Sequence, residues 1–129
     1  MSNRRQASIV NLRPSDTPLP GRPVHGSESG RPIMAALNLL SRRWVLRILW
    51  ELRKAPRGFR EMQALCDQMS PNTLSTRLAE LKEAGIVAHD PNGDWMLTDL
   101  GRKLRPALKA LDAWSAAWAA EIGESDAAS

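Results

Sequence analysis

Hydrophobic and polar positions alternate in helical rhythm over most of the chain from about residue 32 onward, and the clearest stretch is Ser70 to Gly85. Leu74, Leu78 and Leu81 recur at i, i+4 and i+7, which makes one buried stripe on a helix. Ser70 suits the cap position and Pro71 the first helical position, where no backbone N–H is needed. Gly85 suits the left-handed residue that ends a helix. At about 100° per residue, Asn72 and Thr76 point away from the stripe, with Thr73 and Ser75 flanking it. The outer face of the first two turns is therefore short, polar and uncharged, with Arg77 at its edge. Such side chains can enter a DNA major groove and hydrogen-bond base edges. A face shaped by solubility alone would carry more Lys and Glu. Glu80 and Glu83 are expected to point outward further along.

The same patterning predicts what surrounds this helix. Ile33, Met34, Leu37 and Leu40 give a short helix. Ser41 is expected to cap a second one from about Arg42 to Lys54, burying Trp44, Val45, Ile48, Leu49 and Leu52. Pro56 and Gly58 break the chain, and Phe59 opens a third helix with Met62, Leu65 and Cys66. After Gly85, residues 86–89 read as a strand, Asn92-Gly93 as a hairpin turn, and Trp95-Met96-Leu97 as the returning strand. Thr98 caps a final long helix. Its stripe of Leu100, Leu104, Leu108, Leu111, Trp114, Trp118 and Ile122 runs for about six turns. The preceding domain is too small to cover all of it. Two exposed tryptophans would forfeit several kcal/mol of burial at ~25 cal/mol per Å2. The alanines at 107, 110, 113, 116 and 117 would admit a second helix closely, so the second half of this helix is expected to pack in a homodimer. The alternative is that it folds back over its own core. Pro106 is expected to bend it. The fold class is mainly α with a small β-hairpin (α+β): helix, two-stranded hairpin and helix in the order of a winged helix-turn-helix.

Composition narrows the picture. The 129 residues suit one domain with tails, and the net charge of +4 favours anionic partners. Residues 1–31 hold prolines, glycines and five arginines without periodicity, and are expected to form a flexible basic arm that could add phosphate contacts. Residues 32–122 make the folded domain and 123–129 a flexible tail. No apolar run has the length of a membrane span, and the N-terminus lacks the apolar centre of a secretory signal. The single cysteine, Cys66, cannot form an internal disulfide, which fits a reducing cytoplasm. His25 and His89 lie in unlike contexts, so no metal site or other cofactor is expected. No nucleophile–base pair and no glycine-rich phosphate loop point to catalysis, and Asp99 and Asp112 read as ordinary surface residues.

Five spaced motifs resemble the HxlR-type winged-helix transcription regulators, distant relatives of the MarR group. Arg31-Pro32-Ile33 with Ala36-Leu37-Asn38-Leu39-Leu40 is similar to the family's Cys-Pro-Val and Ala-Leu-Asp-Leu-Ile. Ser41-Arg42-Arg43-Trp44 stands where the family writes Gly-Gly-Lys-Trp. Residues 56–62 resemble Pro-Arg-Arg-Phe-Asn-Glu-Leu. Ser70-Pro71 through Arg77-Leu78 and Glu80-Leu81 resembles the recognition-helix signature, and Leu97-Thr98-Asp99-Leu100-Gly101 resembles Leu-Thr-Glu-Leu-Gly. The resemblance implies a dimeric bacterial repressor or activator that binds double-stranded DNA. Its Ser-Pro-led helix would enter the major groove. Its first and terminal helices would make most of the dimer.

On this reading Asn72, Thr73, Ser75 and Thr76 face the groove, Arg77 contacts phosphate or guanine, and Arg57 and Arg60 position the protein through phosphates. An intradomain salt bridge is the alternative for Arg77. Leu37, Leu108, Leu111, Trp114 and Trp118 form the dimer interface. Arg31 replaces the cysteine that many members use to sense oxidants, and a guanidinium has no thiolate chemistry. Cys66 reads as a small core residue. Asp90 and Asp94 flank the wing turn, so wing contacts with phosphates should be weak. A small-molecule effector is compatible with an apolar pocket formed in the dimer between the terminal helix and the body, near Trp44, Trp114 and Trp118. A winged-helix module that binds only proteins is the competing function.

Overall fold

The computed structural model describes residues 17–24 and 30–128, with 124–128 described by their backbone only. Helix α1 spans Pro32–Leu40, α2 Val45–Leu52, α3 Phe59–Leu65 and α4 Pro71–Glu83. Strands β1 (Val87–His89) and β2 (Trp95–Leu97) follow, then a one-turn helix α5 (Asp99–Arg102) and the long α6 (Arg105–Ala128). The strands are antiparallel, with Val87 opposite Leu97, Ala88 opposite Met96 and His89 opposite Trp95. Arg57 adds a bridge to Trp95, its N–H donating to Trp95 O at 2.9 Å and the return bond measuring 2.8 Å. The chain before α3 thus supplies a short third edge to the wing, which the hydrophobic pattern did not announce.

One core unites these elements. Val45, Ile48, Leu49 and Leu52 from α2 meet Met62 and Cys66 from the α3 region, Leu74, Leu78 and Leu81 from α4, and Val87 and Leu97 from the wing. Each of these side chains is buried. The α4 stripe is the one the leucine spacing predicted.

Three boundaries differ from expectation, each for a local reason. Ser41 ends α1, its N–H donating to Leu37 O at 3.0 Å, and does not cap α2. The chain instead turns through Trp44, which adopts a left-handed φ of 76°, before α2 begins at Val45. That turn sets the half-buried Trp44 ring against the core. The final helix is broken. Lys103 and Leu104 donate to Leu100 and Gly101, three residues back, at 3.1 and 3.0 Å. Pro106 cannot donate to the Arg102 carbonyl, and its ring crowds that oxygen, so the helix restarts at Arg105. The backbone remains helical through Ala128, where a tail was expected.

Most of the expected N-terminal arm lies outside the described residues. Its described part, 17–24, is packed on the body: Thr17 and Pro18 are buried, and Arg22 pairs with Glu83 at 3.2 Å.

Two caps fix α4 and α5. Ser70 Oγ accepts from Thr73 N at 3.1 Å. Thr98 Oγ1 accepts from Gly101 N at 3.0 Å and donates to Gly85 O at 2.6 Å. This pins α5 to the turn that follows α4, where Gly85 has φ 80°. Gly101 packs directly on the Ile86 backbone, and a Cβ there would run into the Ile86 carbonyl.

Candidate nucleic-acid interface

Helices α3 and α4 are joined by a turn that holds two consecutive non-glycine residues in the left-handed region, Asp67 at φ 58° and Gln68 at φ 57°. Such residues each carry a conformational cost that surrounding contacts must offset. Here Gln68 N donates to Gln63 O at 2.7 Å, Gln63 Nε2 donates to Met69 O at 3.1 Å, and Met69 is buried. The turn, residues 66–69, delivers Ser70 to its cap position. It sets α4 at a fixed angle on α3.

The outer face of α4 matches the expectation at its start. Asn72, Ser75 and Thr76 are exposed. Thr73 is half-buried, and its hydroxyl accepts from Ser70 Oγ at 2.8 Å, so it is partly occupied with the cap. Lys82, one turn beyond the region singled out from sequence, is also exposed. It lines a cleft of about 440 Å3 between α4 and the wing, together with Ser75, His89 and Trp95. Ser75 and Lys82 are seven residues apart and so share a face. That spacing was the available signal, and attention to uncharged side chains alone passes over it.

Arg77 takes the alternative reading. Its Nε donates to Arg43 O at 2.9 Å, and its guanidinium pairs with Glu80 Oε1 at 2.8 Å. Glu80 does not point outward as expected. It is 5% exposed and sits between Arg77 and Arg42, which pairs with its other oxygen. A carboxylate so enclosed is retained because both oxygens meet guanidinium donors. This triad ties the middle of α4 to the turn between α1 and α2. Glu83 is likewise turned inward, to Arg22. Apart from Lys82, the charged side chains of α4 are thus drawn into the domain, which leaves the outer face of its first two turns to Asn, Ser and Thr.

Arg57 is diverted too, with Nε donating to Glu51 O at 3.2 Å and the guanidinium pairing with Glu61 at 3.1 Å. Arg60 is exposed at the start of α3. In the wing, Asp90 Oδ1 accepts from Asn92 N at 2.8 Å and Asp94 N at 2.9 Å, so this carboxylate holds the turn in which Gly93 has φ 85°. Its placement is structural as well as electrostatic.

The surface expected to dimerise is apolar and uncovered within one chain. Trp114 and Trp118 are 58% and 56% exposed, and their rings stack at 5.3 Å. Leu37, Leu111 and Ile122 are about half exposed, and Ile33 more so. Leu108 departs from the expected set: it is 4% exposed, buried in the core of its own chain, because the first turns of α6 still lie over α2. Trp44 lines a surface hollow with Leu40 and Leu46. Cys66 is fully buried 4.0 Å from the Met62 sulfur, and burial pushes its thiol above the ordinary range.

Among the described residues, no group of three or more His, Cys, Asp or Glu is placed to hold a metal ion. No described helix is long and apolar enough to cross a membrane.

Comparison with known proteins establishes the family and the fold. The model of the HxlR-like helix-turn-helix family matches residues 39–122. The chain belongs to that family. It is 35% identical over 89 residues to the HTH-type transcriptional regulator YvaP of Bacillus subtilis, covering 64% of this chain and 82% of YvaP. It is 30% identical over 93 residues to the HTH-type regulator sll1512 of Synechocystis, covering 67% of this chain and 69% of that one. Among solved structures, the quinone-bound YodB of Bacillus subtilis superposes with a TM-score of 0.59 at 29% identity, over 64% of this chain and 92% of YodB. A MarR-family regulator from Enterococcus faecalis superposes with a TM-score of 0.62 at 26% identity, over 71% of this chain and 89% of that one. This HxlR-like protein is therefore a helix-turn-helix transcriptional regulator by family and a winged helix by fold.

Proposed function

We propose that this HxlR-like regulator is a homodimeric repressor that binds double-stranded DNA in the cytoplasm, on the nucleoid. It reads a near-palindromic operator through the first two turns of α4. The observation that carries the reading is the division of labour on that helix. Asn72, Ser75 and Thr76 are exposed, while Arg77 and Glu80 are held inside the domain. Asn can pair with adenine N6 and N7, and threonine methyl groups can meet thymine methyls, each correct contact discriminating by ~1–3 kcal/mol. Two such helices on a two-fold axis would meet half-sites about 10 bp, or a multiple, apart. Arg60 and Lys82 border the same face and are suited to phosphates.

The acidic wing favours one competing reading, a module that binds proteins and not DNA, because Asp90 and Asp94 set negative charge at the hairpin. Genomic fragment selection with the purified chain and its Thr76→Arg variant, across a salt series, separates the two. A shared palindrome enriched by the wild type and absent from the variant's selection supports the repressor reading. Weak, uniform and steeply salt-dependent retention by both proteins would overturn it.

A further inference from the structure

Residues 18–20 precede the region that matches the family, yet they build one wall of an apolar cavity. The cavity measures about 250 Å3. Pro18 and Pro20 form one side, Ala36 and Leu39 of α1 another, and Ile86 and Leu104 the floor. Lys103 contributes a cation to the lining, and it is exposed. The wall is fixed in place. Thr17 and Pro18 are buried, and Gly21 N donates to Gly30 O at 2.9 Å. Arg22 donates to Thr17 O at 3.1 Å while pairing with Glu83 on the last turn of α4 at 3.2 Å. One side chain therefore joins the cavity wall to the helix that carries the exposed polar face. The joint is imperfect: Thr17 Oγ1 and Glu83 Oε1 are buried and lack a hydrogen-bond partner. Unsatisfied buried oxygens make a contact less costly to rearrange.

We propose that this cavity is a binding site for a small, apolar molecule carrying one negative charge. The lining explains the apolar body, since a polar ligand would lose its hydration there and gain almost no hydrogen bond in return. The volume explains the size: at about 250 Å3 it lies just below the usual range of ligand pockets, which limits the ligand to the scale of one fused aromatic bicycle. Lys103, a cation in the lining, explains the charge. Occupancy presses on residues 18–20 and so reaches α4 through Arg22 and Glu83. The binding site stands on the cavity alone. Its effect on operator affinity rests on the DNA reading above.

The test is calorimetric titration of the full chain with 2-naphthoate and with its neutral isostere 2-naphthamide, without DNA. We expect saturable binding of one 2-naphthoate per chain. We expect it about threefold tighter than the amide, the scale of one ion pair at an exposed rim. Ala36→Phe, which fills the cavity from α1, abolishes both. Lys103→Gln keeps the amide's affinity and removes the preference for the carboxylate. Should Ala36→Phe not fold, Leu100→Trp at an exposed position on the wall blocks the cavity instead. Absence of saturable binding, or binding that survives a folded blocking variant, overturns the site. Equal affinity of wild type for carboxylate and amide overturns its anionic preference.

Discussion

Helix α4 buries Leu74, Leu78 and Leu81 completely and turns Asn72, Ser75 and Thr76 to solvent. Helix α6 buries Leu108 and leaves Leu111, Trp114, Trp118 and Ile122 about half exposed. Both helices are amphipathic, but only α4 has its apolar side matched by its own chain. What each leaves uncovered names the partner it fits. A polar, uncharged face costs nothing in water and offers directed donors and acceptors, which suits base edges. An apolar face with stacked tryptophans is costly in water and is stabilised by contact with another apolar face. A second copy of α6 supplies such a face by symmetry. The two helices are also held differently. α4 is fixed by a cap, a strained turn and an ion-pair triad, whereas α6 leaves the body after Leu108.

The largest effect should come from breaking the unmatched side. Trp118→Glu places a charge in the proposed dimer contact, and central aromatic anchors contribute about 2–4 kcal/mol each. The dimer's dissociation constant should rise by on the order of a hundredfold, read by sedimentation velocity over a concentration series. The helical circular dichroism of the domain should persist, because Trp118 takes no part in the core. An unchanged sedimentation profile would return α6 to a surface helix and end the comparison.

On the matched side, Glu80→Ala removes the carboxylate between Arg42 and Arg77. Breaking a fully buried pair costs ~3–5 kcal/mol; the arginine side chains keep 28% and 22% of their exposure, so water tempers the loss to about 2 kcal/mol. Urea unfolding should show the lower midpoint with an unchanged slope. If the midpoint stays put, the triad does not hold α4, and the contrast with α6 loses its basis.

Much of this contrast was legible in the chain. Ser70, Gly85 and Thr98 marked helix ends because caps are local chemistry, and the leucine and tryptophan spacings showed both stripes. What escaped depends on distant partners. Glu80 reads as a surface residue until Arg42, 38 positions earlier, is brought beside it by the fold. Arg77 and Arg57 read as DNA contacts although Glu80 and Glu61 stand one helical turn away, at i+3 and i+4; only Arg77's second partner, the Arg43 carbonyl 34 positions earlier, is set by tertiary packing. Asp67 and Gln68 carry no glycine signal for their left-handed turn. Residues 17–24 have no periodicity, yet their prolines fit α1 by shape. Pro106 announced a bend but not its place, which falls earlier because the crowded carbonyl belongs to Arg102.

A smaller effect sharpens the reading of α4 itself. Removing one cationic side chain from a phosphate reduces the log–log salt slope of DNA binding by about 1. Arg60→Ala should lower the slope by that amount, since Arg60 is exposed at the start of α3. Arg77→Ala should leave the slope unchanged and lower thermal stability instead, because its guanidinium is already engaged by Glu80 and Arg43. Fluorescence anisotropy with a selected operator at several salt concentrations measures both. A slope reduced equally by the two variants would show that Arg77 leaves its internal partners on the DNA.

The smallest effect lies in the packed floor beneath α4. Burial raises the Cys66 thiol above its ordinary value, and the coulombic pull of Arg47 offsets this only in part. The neutral thiol is therefore the form the fold favours. Below the unfolded thiol's pKa both states are protonated, and the stabilisation is complete. As pH rises past that value, the unfolded chain releases its proton while the folded chain retains it, so stability falls until the folded thiol also titrates. Urea midpoints should drop between neutral and alkaline pH. Cys66→Ala should remove that part of the decline, while making the protein somewhat less stable at neutral pH through the small void it leaves. The α6 face contains no such group, so Trp118→Glu should leave the decline intact. A Cys66→Ala profile parallel to wild type would mean that the thiol opens to solvent in the folded state. The floor beneath α4 would then be looser than the packing around Leu74 and Leu78 indicates.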